Sequence, residues 1–226
     1  MPRHEDTPSD TLLAGATGLI GRAYAAQWSG PGQLHLLVRR PVPAPGPHCR
    51  VHVVDHAALP ALPPARDAVC CLGTTIAVAG SPEAFRAVDL DAVLAFARAA
   101  QAAGVQRFAV VSALGADARS RNLYSRTKGE MEAALAALGF ATLVVARPSL
   151  LAGDRAVLGQ PVRRAEALAL ALSRPLAPLV PKAWRPIEAA TVARALQAAL
   201  LQGRPGLRIL SSGEMQDLGR ASAASP

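Results

Sequence analysis

Three glycines stand where the first apolar run of the chain gives way to a helical pattern. The run "TLLAGAT" occupies residues 11 to 17, and a predicted helix follows, so that Gly15, Gly18 and Gly21 recur at every third position. The first glycine permits a tight turn, the second lets a ligand approach the backbone, and the third lets the helix pack on the strand. The stretch from residue 11 therefore predicts a strand, a tight turn and a helix.

This junction is typical of a dinucleotide-binding site. A helix N-terminus offers N–H donors and partial positive charge to a pyrophosphate. The glycine pattern lies at the first strand-to-helix turn, which is the context that the motif requires. A turn built only for packing is the alternative, but it would not need all three glycines. We therefore expect a dinucleotide to bind here.

Apolar runs alternate with helical patterns from residue 11 to residue 211. Further strands are predicted at 33–40, 51–55, 67–73, 105–115, 141–148 and 206–212, and helices at 82–103, 122–138, 161–173 and 188–202. Nearly all-apolar strands separated by helices indicate a parallel sheet with both faces covered. We predict an α/β protein with a doubly wound, mostly parallel sheet, which is a single-domain NAD(P)-binding Rossmann fold.

The predicted boundaries follow the same pattern. Residues 1–10 are expected to be a disordered N-terminus and residues 213–226 a C-terminal tail, with the Rossmann domain over 11–212. A small substrate-pocket segment is expected at about 149–187. The link between the second and third strands, "PVPAPGP", holds four prolines and is predicted to be a loop without a helix.

The charge of the chain does not indicate a nucleic-acid partner. The formal net charge is +8, from 24 basic and 16 acidic residues. The basic residues are scattered and are almost all arginine, whereas a nucleic-acid footprint would cluster them. The partner expected instead is a small-molecule substrate.

The cysteines and the N-terminus predict a location. The three cysteines cannot all be paired in a disulfide framework, and they lack the spacing of metal ligands; they are Cys49, Cys70 and Cys71. The N-terminus has no apolar core of a signal peptide, and no uncharged stretch reaches the roughly 18 residues of a membrane span. A cytoplasmic protein without a membrane span or a metal site is expected.

Two arginines close the second strand where an NAD-selective site would carry an acid. Arg39 and Arg40 occupy this position, about 20 residues after the glycine motif. An arginine can hold a 2′-phosphate with its planar fork, which favours NADP(H) over NAD(H). Two solvated arginines are the alternative. Asp55, which closes the third strand, is placed either to accept a hydrogen bond from adenine or to cap the next segment.

One of the only two lysines in the chain follows one of the only two tyrosines by one helical turn. Tyr124 and Lys128 therefore share a helix face. A nearby ammonium favours the phenolate form and lowers the pKa of a phenol, which suits the phenol for proton transfer. Ser112, at the end of the fifth strand, is a candidate to bind the substrate oxygen. A solvated surface pair of tyrosine and lysine is the alternative.

Several stretches together resemble one family. They are "GATGLIG", "CCLGTT", "VVSALGAD", "YSRTKGEMEA", "ARPSLLAGDR" and "MQDLG". They resemble the small atypical short-chain dehydrogenase/reductases, and among these the Tat-interacting oxidoreductase-like proteins and their bacterial relatives, which are described as NAD-dependent epimerase-like. The resemblance spans residues 11 to 219.

The resemblance implies roles for individual residues. It implies that Tyr124 is the catalytic acid/base and Lys128 its partner. The residues that it implies to contact the cofactor are Gly15, Thr17, Gly18, Leu19, Ile20, Leu72, Gly73, Thr74, Pro148, Ser149 and Leu150. Relatives often carry two serines at the end of the fifth strand, but here Ser112 is followed by Ala113. If the catalytic hydroxyl belongs to the second position, Ser112 is structural.

Two functions from different classes fit these residues. The first is an NADP(H)-dependent oxidoreductase that moves a hydride to or from a small carbonyl or alcohol. The second is a non-catalytic NADP(H)-binding module that regulates a partner. The tyrosine and lysine together favour the enzyme. An epimerase-like reaction is a further alternative, although about 78 residues after the sixth strand leave little room for a sugar-nucleotide domain.

Overall fold

A computed structural model of the chain describes residues 9–152 and 184–223. Its strands are β1 (Thr11–Ala14), β2 (Leu34–Val38), β3 (Cys49–Val53), β4 (Asp67–Cys70), β5 (Arg107–Val111), β6 (Thr142–Arg147), β7 (Leu151–Ala152), β8 (Ile187–Glu188) and β9 (Gly206–Ser211). Its helices are α1 (Leu19–Ala26), α2 (Ile76–Ala79), α3 (Pro82–Arg86), α4 (Ala92–Ala102), α5 (Leu123–Ala136), α6 (Ala189–Gln202) and α7 (Ser212–Ala223). A π-helical turn, Ala87–Asp91, joins α3 to α4.

Seven of these strands form one sheet in the order β3-β2-β1-β4-β5-β6-β9, and each neighbouring pair is parallel. The short strands β7 and β8 pair separately. The strand order reverses its direction of growth between β1 and β4, which is the point where α/β sheets bind ligands at their carboxyl ends. The predicted doubly wound Rossmann fold in a single domain is confirmed.

Both faces of the sheet are covered, as the apolar strands require. On one face, Ile20 and Tyr24 of α1 join Val192 and Leu196 of α6 in one buried cluster. On the other face, α4 and α5 pack over a second cluster that contains Phe96. The proline-rich link holds no helix, as predicted, and β2 and β3 still pair in parallel.

The predicted C-terminal tail is wrong, because residues 212–223 form α7. Met215 is fully buried in the same cluster as α6. The helix begins with a reciprocal cap, in which Glu214 N donates to Ser211 Oγ and Ser211 N donates to Glu214 Oε2 at 2.8 Å. The mostly polar composition hid this helix, although serine followed by glutamate three residues later is a known start signal.

The other boundaries differ in smaller ways. Asp10, predicted to be disordered, is held because its Oδ1 accepts from Gln33 N at 2.9 Å and its Oδ2 contacts the His35 ring. The predicted helix at 82–103 is interrupted by the π-helical turn. The predicted helix at 161–173 and most of the pocket segment at 149–187 lie outside the described residues.

Candidate functional site

Two of the three motif glycines are required by the packing of the chain itself. Gly15 has φ +81°, and a Cβ there would lie 2.4 Å from the carbonyl carbon of Cys71 in the loop after β4. A Cβ on Gly21 would lie 2.1 Å from Gly15 O. Both distances are far below any real contact, so a side chain at either position would push the loop, the strand and the helix apart.

Gly18 is different, because the protein leaves space around it. A Cβ there would meet only Gly15 O, at an ordinary 3.4 Å. Gly18 is also the N-cap of α1, and no side chain caps this helix end. The first-turn N–H groups of Leu19, Ile20 and Gly21 are therefore those that a helix leaves without an internal partner. The loop fits a pyrophosphate, with Thr17 exposed beside it.

Arg39 and Arg40 are both exposed directly after β2, at the carboxyl edge of the sheet. Asp55 follows β3, and its Oδ1 accepts a hydrogen bond from Ala57 N at 2.9 Å. Of the two roles considered for Asp55, capping of the next turn is therefore present in the structure. Contact with adenine stays a prediction.

His56 is a residue of this edge that sequence reasoning missed. It is only 8% exposed, and neither ring nitrogen has a hydrogen-bond partner. Burial lowers the pKa of His56, and the charge of Arg39 lowers it further, while Asp55 acts in the opposite direction. Burial and the charge of Arg39, the arginine predicted to contact the cofactor, therefore both disfavour protonation of the ring. A histidine in a short loop gives no signal of this burial.

The face of α5 that carries Tyr124 and Lys128 packs against the segment formed by α3 and the π-helical turn. The ring of Phe85 stacks on that of Tyr124, with centroids 5.6 Å apart at 29°. One turn along, Lys128 Nζ lies 2.7 Å from Asp89 Oδ1, and both side chains are buried. Phe85 and Asp89, which are four residues apart, thus contact Tyr124 and Lys128, which are four residues apart on α5. The alternative of a solvated lysine is excluded.

Asp89 also reaches the loop after β4. Its Oδ2 accepts from Thr74 N at 2.8 Å. A Cβ on Gly73 would lie 3.4 Å from Asp89 Oδ1 and 3.8 Å from Lys128 Nζ, so the lysine ends directly beside this loop. Leu72 packs against the core cluster beneath. Sequence reasoning missed Asp89, because an acid inside a predicted helix ordinarily faces solvent.

Ser112 has a different partner from the one expected. Its buried hydroxyl donates to Glu132 Oε1, on α5 two turns after Tyr124. Glu132 in turn accepts from Arg147 at the end of β6, where Nη2 to Oε2 is 2.5 Å. These hydrogen bonds raise the pKa of Arg147. The Ser112 hydroxyl is thus engaged by Glu132, and its catalytic role stays a prediction.

The residues after β6 are held by α7. Ser149 N donates to Ser212 Oγ at 2.7 Å, and Ser149 Oγ donates to Arg185 O at 2.5 Å. Pro148 O accepts from Leu114 N, which links this segment to the loop after β5. Leu150 is 38% exposed. The Ser149 side chain thus has a structural role, while the exposed Leu150 faces outward.

Among residues 9–152 and 184–223, no helix has both the length and the apolar character of a membrane span.

The sequence matches a family model described as NAD(P)H-binding over residues 15–163. Protein FMP52, mitochondrial, of Eremothecium gossypii is 37% identical over 152 residues, which are 65% of this chain and 68% of that protein. Protein HTATIP2 of Rattus norvegicus is 46% identical over 86 residues, which are 38% of this chain and 35% of that protein.

Other alignments are shorter. That with Protein FMP52-2, mitochondrial, of Scheffersomyces stipitis shows 48% identity over 84 residues, so it spans 37% of the length of each protein. The expected cytoplasmic location is contradicted by these relatives, because the FMP52 proteins are named as mitochondrial.

Solved structures share the fold at low sequence identity. MoeE5, in a complex with UDP-glucuronic acid and NAD, has a TM-score of 0.67 and 19% identity, and the match covers 89% of this chain and 75% of MoeE5. A UDP-N-acetylglucosamine 4-epimerase from Methanobrevibacter ruminantium has a TM-score of 0.66 and 13% identity. The match covers 91% of this chain and 77% of that enzyme. These structures share the Rossmann fold of this chain, which by its match to the family model belongs to the NAD(P)H-binding family.

Proposed function

We propose that the protein is an NADP(H)-dependent oxidoreductase that interconverts a small carbonyl compound and its alcohol. The observation that carries the proposal is the position of Lys128. Its ammonium is buried, one turn from Tyr124, and lies beside Gly73 in the loop after β4. A lysine ammonium is costly to bury, and a purely structural helix surface has no need of it.

Tyr124 would exchange the proton of the reaction. When bound, the nicotinamide supplies or accepts the hydride. The Tyr124 hydroxyl donates its proton to the carbonyl oxygen as that oxygen gains negative charge, and in the reverse direction the Tyr124 phenolate takes the proton of the alcohol. The stack on Phe85 supports this role, because it fixes the phenol ring while leaving Tyr124 only partly buried.

Lys128 would act on both the nicotinamide ribose and Tyr124. An ammonium has three donors, and the contact with Asp89 occupies one side of it. The remaining donors are available to the hydroxyls of the nicotinamide ribose. The positive charge also favours the phenolate form of a tyrosine one turn away.

The preference for NADP(H) rests on the end of β2. Arg39 and Arg40 are exposed there, and the adjacent loop presents no acid at the position that holds a ribose hydroxyl in NAD-selective sites. A guanidinium can pair with a 2′-phosphate through two parallel hydrogen bonds.

The test is single-turnover oxidation of bound NADPH against a panel of aldehydes, ketones and quinones. We expect at least one carbonyl substrate to be reduced by the wild type. Tyr124→Phe should lose most of that rate with unchanged cofactor affinity, because only the exchangeable proton is removed. Lys128→Arg should also lose most of it, since a planar fork does not replace a compact ammonium. Equal rates in all three proteins would contradict the roles given to both residues.

A further inference from the structure

A cavity of about 150 Å³ lies at the edge of the sheet opposite the glycine turn, and it is called the amino-edge cavity below. Its floor is formed by Thr11, Asp67 and Arg107, which are the first residues of β1, β4 and β5. The three residues are neighbours in the strand register, so their side chains stand side by side on one face of the sheet. Leu13 and Val69, two positions further along their strands, belong to the buried cluster beneath α1 and α6. These two helices therefore cover the same face and supply the walls of the cavity.

The wall contributed by α1 and the loop after it is aromatic and fixed. Tyr24 is 1% exposed and stacks on the ring of Trp28, with centroids 5.9 Å apart at 29°. Trp28 Nε1 donates to Gly32 O at 3.3 Å, and a Cβ on Gly30 would lie 2.3 Å from the Trp28 ring. The indole ring thus lies directly on the backbone of Gly30, and its position is set before any ligand arrives.

The wall contributed by α6 is aliphatic. Leu200 and Leu201 line the cavity near the end of this helix. Gln197 Nε2 donates to Tyr24 O at 3.2 Å, which fastens α6 to α1. A space between an aromatic and an aliphatic wall suits a flat apolar ring, and an engineered protein cavity of about 150 Å³ binds benzene. The amino-edge cavity therefore has the size and the walls for one aromatic ring.

Two polar groups of the cavity lack a protein partner in the described ranges, 9–152 and 184–223. Thr11 is 1% exposed, and its hydroxyl makes no hydrogen bond with these residues. Arg66 is exposed at the rim, and none of the described carboxylates pairs with it. Both oxygens of Asp67 accept instead from Arg107, at 2.5 Å each. Because a buried hydroxyl without a partner is costly, these groups together indicate a ligand.

The charges that line the cavity favour an anion with a single charge. Asp67 neutralises Arg107, so the charge of Arg66 is left in excess. A carboxylate pairs with a guanidinium through two parallel hydrogen bonds and can also accept from a threonine hydroxyl. It carries one charge, whereas a phosphate monoester carries about two near neutral pH. The carboxylate is therefore the better match.

We propose that the amino-edge cavity is a second ligand site, which binds a small monocyclic aromatic carboxylate. The ring lies between Trp28 and the leucines of α6, and the carboxylate accepts hydrogen bonds from Arg66 and Thr11. The strands β1 and β4 begin at this cavity and end at the loops proposed to hold the dinucleotide, so the two sites occupy opposite edges of the sheet. The second site does not depend on the proposed reaction.

The test uses para-fluorobenzoate as the probe, titrated into the full chain and followed by fluorine NMR. We expect a dissociation constant of about 1 mM or lower, which is ordinary for a ligand of this size. The matched probe is para-fluorobenzamide, which has the same ring and no charge. It should bind at least tenfold more weakly, and equal affinities of the two probes would overturn the proposal.

Two substitutions test the polar contacts separately. Arg66→Gln should weaken para-fluorobenzoate binding at least tenfold, because the charge at the rim is lost. Thr11→Val keeps the shape of the side chain and should weaken binding about fivefold, with a Tm no lower than that of the wild type. Arg98→Gln is the matched control, since it removes an exposed arginine from α4 on the other face of the sheet. Wild-type affinity in Arg66→Gln, or an equal loss in the control, would contradict the site.

The tryptophan signals locate the probe on the protein. The chain has two tryptophans, so a tryptophan-labelled sample gives two indole N–H signals, which Trp184→Phe assigns. The Trp28 signal should move when para-fluorobenzoate binds, whereas that of Trp184, which is 64% exposed, should not. A Trp28 signal that the probe leaves unchanged would place the probe elsewhere and overturn the proposal. Neither cofactor nor turnover enters these measurements, so failure of the proposed reaction would leave their result intact.

Discussion

Substitution of each motif glycine should show which of the three is needed for the stability of the fold and which for the binding of NADPH. Gly15→Ala places a side chain at φ +81°, at a cost of about 1–2 kcal/mol for the left-handed backbone alone. The added Cβ would also lie 2.4 Å from the Cys71 carbonyl carbon, and in Gly21→Ala it would lie 2.1 Å from Gly15 O. At about 2–4 °C per kcal/mol for a chain of this size, Gly15→Ala should lower Tm by at least about 2–8 °C.

Gly18 should behave in the opposite way. Its φ is −78°, and an added Cβ meets only Gly15 O at 3.4 Å, so the stability of Gly18→Ala should change by less than about 0.5 kcal/mol. Gly18→Val places a branched side chain at the N-cap of α1. Loss of one charge-assisted hydrogen bond to the pyrophosphate, about 1.5–3 kcal/mol, corresponds to about a tenfold to hundredfold weaker NADPH affinity.

The assay is thermal unfolding of all four variants, followed by calorimetric titration of those that fold. A folded Gly18→Val protein that binds NADPH like the wild type would show that the phosphates lie elsewhere. A Gly15→Ala protein as stable as the wild type would contradict the close approach of the β1 and β4 loops.

Three further predictions concern other parts of the site. Replacing Arg39 and Arg40 together with alanine should weaken NADPH binding by about one to two decades while NADH binding is unchanged, and equal losses for both cofactors in parallel titrations would contradict phosphate recognition. Ser112→Ala should reduce stability, because Glu132 loses a donor, with less than a tenfold loss of turnover; a loss as large as that of the tyrosine variant would restore the serine to the catalytic set. Burial raises the pKa of Cys70 to about 12, so the native protein should react with thiol reagents at that residue only on unfolding, as mass spectrometry of labelled peptides would show.

The strands and the glycine turn could be predicted because their signals are local. A buried parallel strand is an apolar run whatever its neighbours are, and Gly15 reports a backbone requirement that no other residue meets. The shared helix face of Tyr124 and Lys128 could also be predicted, because helical spacing alone places them on one side. The alternation of these signals along the chain was enough to specify the sheet.

The partners of these residues could not be predicted in the same way. Ser112 and Glu132 are 20 positions apart, and Lys128 and Asp89 are 39 apart, so that only the packed helices bring them together. A π-helical turn has no composition of its own, because it is stabilised by the contacts that its residues make. The start of α7 is a different case. The capping pair of Ser211 and Glu214 could be recognised in the sequence, but the polar residues around it led to the prediction of a tail instead of a helix.

The link between Ser149 and Ser212 has a consequence for how the protein is made. Domains emerge from the ribosome N-terminal end first, so β1, β2 and β4 are synthesised long before β9 and α7. The edge strand β9 pairs with β6, and Ser212 then receives the Ser149 N–H. The strands β1, β2 and β4 around the glycine turn can thus pair on the nascent chain, whereas β6 gains its neighbour β9 only after residues 206–211 have been synthesised. A ribosome stalled before codon 206 should therefore display a chain in which β6 still lacks its neighbour β9 and the Ser149 N–H still lacks its acceptor on α7.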